Sequence, residues 1–151
     1  MSGSPFRIEL LDWERGRAHA RPVRYEVFVR EQDVPVALEW DEFDAVSLHA
    51  VAYSADDETI GTGRLLPDGH VGRMAVLRPW RGQGVGAALL RALLTAARER
   101  GLARLVLHSQ THAADFYRRF GFQDQGEEYL EAGIPHVTMS LPLRSQSQEA
   151  S

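Results

Sequence analysis

The sequence contains no cysteine. That excludes disulfides, a thiolate nucleophile and any cysteine-ligated zinc site, and it leaves the redox compartment unspecified. Lysine is absent as well, so all 17 basic residues are arginine. A nucleoside-triphosphate loop needs a lysine after its last glycine, and Schiff-base chemistry needs a lysine amine. Both are excluded, as is lysine self-modification. Long hydrophobic runs are also missing. Every apolar stretch is broken by Arg or Gly well short of membrane-spanning length, so no membrane partner is expected. Residues 1–5 lack the charged-then-apolar layout of a signal peptide, and a cytoplasmic location is the expectation. Positive charge is in deficit, with a net charge of −4. Non-specific nucleic-acid binding relies on a basic surface, so no nucleic-acid partner is expected.

What is present suits one globular domain. The 151 residues are 44% hydrophobic and 25% charged, enough to bury a core over 1–143, with a polar tail at 144–151 that is expected to be disordered. No internal repeat or low-complexity region interrupts it.

Phe6–Leu11 alternates in part and reads as an edge-like strand, after which Asp12 suits a helix N-cap. The helical pattern of Trp13–Gln32 is interrupted by Pro22, which predicts a helix over Pro22–Glu31. Asp33–Val46 has Pro35 and no sustained period, and so reads as a loop or short irregular helix. It carries Glu39, Asp41, Glu42 and Asp44, either a solvated acidic loop or an attractor for a cationic substrate. Trp40 and Phe43 beside them need something to cover. Leu48–Tyr53, Thr59–Leu66 and His70–Leu77 predict an antiparallel meander, turned at Pro67-Asp68-Gly69. Val85, Ala88, Leu89, Ala92, Leu93 and Ala96 form a helical stripe that stops at Gly101, and the apolar Arg104–His108 reads as a strand buried on both faces. Together they predict a right-handed βαβ step. A second amphipathic helix, Thr111–Phe120, ends at Gly121-Phe122, and strands at Gln123–Leu130 and Pro135–Leu143 are joined around Gly133. The fold class is α+β / α/β: a mixed, mostly antiparallel sheet with flanking helices and one parallel βαβ step at the ligand site.

The most informative stretch is Arg81-Gly82-Gln83-Gly84-Val85-Gly86-Ala87, between a strand and a helix. Glycines let the backbone approach a ligand, the first free N–H groups of the helix point at an anion, and Arg81 adds positive charge. A plain tight turn is the bland alternative. Gly82, Gly84 and Ala87 also fit a dinucleotide fingerprint. Against that reading, the next strand ends in His108-Ser109-Gln110 and not in the acidic residue that would hold a ribose.

These residues resemble the GNAT superfamily of acyl-CoA-dependent N-acyltransferases over about 6–143. Arg81–Gly86 is similar to its pyrophosphate loop, R/Q-x-x-G-x-G/A. Gln110–Phe122 is similar to its second cofactor-side segment, N-x-x-A-x-x-F-Y-x-x-x-G-F, with Gln110 in place of Asn. Val27–Gln32, Leu107–Gln110 and Gly133–His136 are similar to the ElaA-like branch, though a simple hairpin turn also accounts for the last. The resemblance implies acetyl-CoA as co-substrate and no metal. It implies a cofactor site of Met74, Ala75, Val76, Arg81, Gly82, Gln83, Gly84, Val85, Gly86, Ala87, Gln110 and Phe116. It also implies direct attack of an amine, from a small molecule or a peptide, in a ternary complex; a homodimer is compatible with it.

Tyr117 matches the family's tyrosine and is the candidate proton donor to the leaving sulfur, against the alternative of a core aromatic. The proton of the amine needs a base. Relatives often place a carboxylate on the strand before the loop, but Val71-Gly72-Arg73-Met74 has none. The candidates are therefore Glu39, Asp41, Glu42 and Asp44, or His108 acting with water. His108 and His112 lie four apart, but a helix starts between them and no third ligand is evident, so no metal is expected. A non-catalytic acyl-CoA-binding or sensing domain is the rival class, and a dinucleotide-binding protein a weaker one.

Overall fold

The computed structural model describes residues 5–39 and 41–143. One mixed sheet runs in the order Phe6–Leu11, Leu48–Ser54, Thr59–Leu65, His70–Val76, Arg104–Gln110, Ile134–Pro142, Gln123–Asp124, with Tyr129–Glu131 also paired to Ile134–Pro142. The meander consists of β1 (Phe6–Leu11), β2 (Leu48–Ser54), β3 (Thr59–Leu65) and β4 (His70–Val76), all antiparallel. Helix α3 (Val85–Glu99) then carries the chain to β5 (Arg104–Gln110), parallel to β4, and β8 (Ile134–Pro142) returns antiparallel to β5. The mostly antiparallel sheet with one parallel step is thus the observed architecture. No helix among the described residues is long and apolar enough to cross a membrane.

Strand β2 is buried from His49 to Ser54 because each of its faces carries a helix. Ala50 and Ala52 join the main core under Leu89, Leu90 and Leu93 of α3. Alternation turns His49, Val51 and Tyr53 to the other face, where Trp13 and His19 of α1 (Trp13–Arg24) meet His49 and Tyr53. Gly61 of β3 lets α3 lie close, since a Cβ there would stand 3.1 Å from both Leu89 and Val85.

Several sequence expectations change here. The first helix starts at Trp13, not Pro22: the Asp12 carboxylate accepts from the Arg15 N–H at 3.0 Å. The chain stays helical through Pro22 to Arg24 and widens into a π-helical segment, Tyr25–Glu31. Proline lacks the N–H that a helix interior needs, yet burial of Ala20, Val23 and Val27 holds this face to the sheet. Strand β5 is not buried on both faces. Leu105, Leu107 and Ser109 are buried while His108 is exposed, because its other side opens onto a cleft. The helix expected over Thr111–Phe120 is a 3-10 turn, Thr111–Ala113, followed by α4 (Ala114–Arg118). The strand expected over Gln123–Leu130 is two short pieces, β6 (Gln123–Asp124) and β7 (Tyr129–Glu131), separated around Gly126 with φ +92°. The tail at 144–151 and Trp40 lie outside the described residues.

The acidic segment folds as a short helix α2 (Val36–Glu39) and a 3-10 turn, Glu42–Val46. Most of the segment stays exposed, but three of its four carboxylates are drawn in to arginines. Arg24, itself buried, sits between Glu39 (Nε to Oε2, 3.1 Å) and Asp44 (Nη1 to Oδ1, 2.8 Å). Arg64 reaches Asp41 at 2.7 Å and Asp44 at 3.1 Å, and Arg73 reaches Glu39 at 3.1 Å and Asp41 at 3.0 Å. Burial pushes the Asp44 carboxyl up, but the bonds from Arg24 and Arg64 outweigh it and hold the group below its ordinary value. Of the four acids only Glu42 is exposed, with no such partner among the described residues.

Candidate active site

The parallel step is brief. β4 and β5 pair only at His70↔Val106 and Val71↔Leu107. Beyond that point Arg73 adopts φ +51°, the left-handed region that non-glycine residues rarely enter, and the register against β3 slips between Thr62 and Arg64. The two strands separate, and a cleft of about 980 Å³ opens between them. Met74, Ala75 and Val76 line one wall, and Leu107 to Gln110 with His136 line the other. Phe28 and Gln32 of the π-helical segment border it as well.

Helix α3 begins beside this cleft. Gly82 and Gly84 have φ +77° and +87°, and a Cβ at either would meet nothing within 4 Å. The first bond of the helix is Ala88 N–H to Gly84 O at 3.0 Å, so the N–H groups of Val85, Gly86 and Ala87 have no acceptor within the helix. Val85 is buried beneath the turn. Gly86 lies between Val76 and Phe116, whose side chains would stand 3.9 and 3.7 Å from a Cβ there. Gln83 props the loop by donating to the Pro79 carbonyl at 3.1 Å.

Arg81 is not the free charge that the sequence suggested. Its Nε donates to the Val76 carbonyl at 2.9 Å, and its Nη atoms donate to Glu31 at 3.0 and 2.7 Å. Arg78 adds a third bond to Glu31 at 3.0 Å. The bonds from Arg81, with Arg78 adding to them, hold the Glu31 carboxyl below its ordinary value against some desolvation. Gln110 is tied across the cleft by donating to Gln32 Oε1 at 2.7 Å.

Tyr117 lines the cleft and packs edge-on against Phe116 and Phe122. Burial pushes its phenol up to about 12, and among the described residues its hydroxyl has no hydrogen-bond partner. His108 also lines the cleft. Its Nδ1 lies 2.7 Å from the Tyr129 hydroxyl and 3.1 Å from that of Thr138, and its ring stacks on His70 at 5.7 Å. Burial holds the His108 imidazole below the ordinary histidine value, with Glu131 pulling the other way and His70 and His136 adding to the effect.

The structure therefore brings Met74, Ala75, Val76, Arg81, His108, Gln110 and Tyr117 to one cleft, with Phe116 and Gly82 to Ala87 adjoining. Glu42 is not on its wall. Glu39 and Asp41 are, but Arg24, Arg64 and Arg73 hold them. His112 shares the cleft with His108, and no group suited to a metal ion occurs among the described residues. Sequence reasoning did not single out Glu31, Gln32, His70, Tyr129 or His136 as site residues. Glu31 and Gln32 left a trace as the end of the Val27–Gln32 segment, and His136 as the end of the Gly133–His136 segment.

The family model described as acetyltransferase (GNAT) domain matches residues 17–143. A Bacillus subtilis protein named uncharacterized N-acetyltransferase YjcF is 41% identical over 121 residues, covering 78% of this chain and 86% of its own. The structure is similar to an acyl-CoA N-acyltransferase from Pseudomonas aeruginosa, with a TM-score of 0.80, 31% identity and coverage of 89% and 98% of the two chains. Escherichia coli ElaA has the same TM-score of 0.80 at 26% identity, over 89% of this chain and 98% of its own.

Proposed function

The chain belongs to the GNAT acetyltransferase family, and from that premise we propose that it transfers an acetyl group from acetyl-CoA to an amine in a ternary complex. One observation carries the reading: the cleft left by the parting of β4 from β5 runs beside a helix start whose glycines leave open space. The pyrophosphate sits on the N–H groups of Gly82 to Ala87, where helix dipole and free donors act together. Arg81 and Arg78, which together outnumber the Glu31 carboxylate they share, leave that end one positive charge in excess. The pantetheine arm lies along Met74, Ala75 and Val76, with Gln110 and Phe116 flanking it. The acceptor is a small-molecule or peptide amine, and the setting is the cytoplasm.

The chemistry needs the amine and the thioester aligned, charge on the leaving sulfur stabilised, and a proton removed from nitrogen. Tyr117 serves the second need. Its phenol, pushed up to about 12, is a weaker acid than a thiol of reference pKa about 8.5. Full proton transfer to the thiolate is therefore uphill, and the hydroxyl acts chiefly as a hydrogen-bond donor to the developing charge. The proton from nitrogen leaves toward the β5–β8 wall, where His108 and His136 face the cleft.

A non-catalytic acyl-CoA sensor is the second reading, favoured by Arg73 standing on β4 with the nearby carboxylates already bound by arginines. Titration calorimetry with acetyl-CoA and a thiol-release screen over a panel of amines separate the two. Binding together with release of free coenzyme A supports the enzyme. Binding without release for any amine supports the sensor, and undiminished binding by Gly84→Glu overturns the cofactor site itself.

A further inference from the structure

We propose that His136 is the base that takes the proton from the acceptor nitrogen, and that His108 faces the same cleft as a fixed hydrogen-bond donor. This rests on the acyl-transfer reading above. The two rings are distinguished by what their Nδ1 atoms touch. His136 Nδ1 lies 2.7 Å from the Ile134 carbonyl oxygen. A carbonyl only accepts, so Nδ1 carries the hydrogen, and the lone pair of the neutral ring is on Nε2. That atom has no hydrogen-bond partner among the described residues and is not sealed from solvent, in a ring that forms part of the cleft wall.

His108 is set the opposite way. Its Nδ1 meets the Tyr129 hydroxyl at 2.7 Å. A phenol is the stronger hydrogen-bond acid of the two groups and imidazole nitrogen the stronger acceptor, so the hydroxyl donates and Nε2 keeps the hydrogen. Of the two histidines, only His136 offers a lone pair to the cleft. Tyr129 holds both in place, stacking on His136 at 6.0 Å and meeting His108 edge-on at 6.2 Å. Sheet register fixes the arrangement, with His136 opposite both Gln110 on β5 and Tyr129 on β7, and Thr138 opposite His108. Tyr129 of β7 stacks on His136, and the ionisable groups that share its cleft are Glu131 of β7, His108 of β5, His70 and Arg73 of β4, Arg64 of β3, His112, Tyr117 and Arg81 around the helix starts, and Glu39 and Asp41 of the acidic segment.

The acceptor reacts as its neutral amine. The nitrogen lone pair forms the C–N bond to the thioester carbon, and the proton of the now cationic nitrogen passes to His136 Nε2. The C–S bond breaks with its electron pair on sulfur. The products are the amide, the thiolate under the Tyr117 hydroxyl and an imidazolium that returns its proton to water. His108 Nε2–H meanwhile donates to an oxygen of the bound substrates and does not change charge.

Two variants separate the roles. His136→Asn keeps an N–H near Nδ1 for the Ile134 carbonyl but removes the base. His108→Gln keeps an N–H near Nε2. The Asn variant is expected to lose about 10²–10⁴-fold in kcat and the acidic limb of its pH profile, with the acetyl-CoA Kd within about threefold of wild type. The Gln variant is expected to keep that limb. Loss of the limb in His108→Gln together with its survival in His136→Asn overturns the assignment. Nitrogen-15 spectra of histidine-labelled protein at about pH 8 give a readout that needs no acceptor. Hydrogen on Nδ1 of His136 and on Nε2 of His108 supports the proposal, and the reverse overturns it. A wild type that acetylates no amine overturns the acyl-transfer reading and the base role with it, whereas reversed tautomers in an active enzyme overturn only the assignment of roles.

Discussion

Glu31 grips Arg81 with both carboxylate oxygens, at 3.0 Å to Nη1 and 2.7 Å to Nη2, across fifty residues of chain. The π-helical segment is thereby clamped to the glycine loop. Because Arg81 is 41% exposed, solvent screens the pair, and its contribution to stability is below about 1 kcal/mol. The Glu31 carboxyl titrates below its ordinary value, so this contribution is present at neutral pH and disappears as pH falls through the depressed value. Glu31→Gln is expected to be slightly less stable than wild type at pH 7 and equal to it in strong acid, as read from paired urea melts.

Gly84 needs its missing side chain for conformation and not for room, since φ is +87° and nothing lies within 4 Å. Gly84→Ala is expected to cost about 1 kcal/mol, a Tm decrease of about 3 °C, from left-handed strain. Its methyl group also intrudes on the anion cradle, raising the acetyl-CoA Kd about tenfold, roughly one lost charge-assisted hydrogen bond. Gly72 is equally open but lacks a positive φ. Gly72→Ala therefore serves as the stability control, with a change within about 1 kcal/mol.

Arg24 is 1% exposed between two acids that are each 2% exposed. Arg24→Met leaves Glu39 and Asp44 short of their shared cation in a buried setting, at an expected cost of about 3–5 kcal/mol. Denaturant titration reads this as a fall in midpoint. An unchanged midpoint would show that the network contributes no net stability.

Tyr117 stays protonated across any practical assay range, with its phenol pushed up to about 12. Tyr117→Phe is expected to lower kcat about 10–100-fold and leave the acetyl-CoA Kd within about threefold, while any alkaline limb between about pH 8 and 10 keeps its position. Movement of that limb in the Phe variant would show that the tyrosine itself titrates in the reaction.

Features written in local chemistry were legible from the sequence. The Asp12 cap, the α3 stripe and the stops at Gly101 and Gly121 depend on neighbours within a few residues, and the structure has each where the pattern puts it. The glycine turn before α3 was legible for the same reason, with Gly82 and Gly84 at positive φ. What escaped was set by distant partners. Pro22 looked like a helix start because its cost is local while the packing that outweighs it is tertiary. Glu39, Asp41 and Asp44 looked like a free acidic patch because Arg24, Arg64 and Arg73 come from three other elements. Tyr129 and His136 meet His108 only through the β7–β8–β5 register, which no single stretch encodes.

The brevity of the β4–β5 seam has a consequence for the whole molecule. Two rungs join one half-sheet, β1 to β4, to the other, β5 to β8 with their appended strands. If the pantetheine arm lies along β4 as proposed, its amide groups supply the rungs the chain omits and stitch the halves together. The protein then draws part of its cohesion from its own substrate. At a ligand concentration of about 100 Kd, that linkage adds about 2.7 kcal/mol to the folded state.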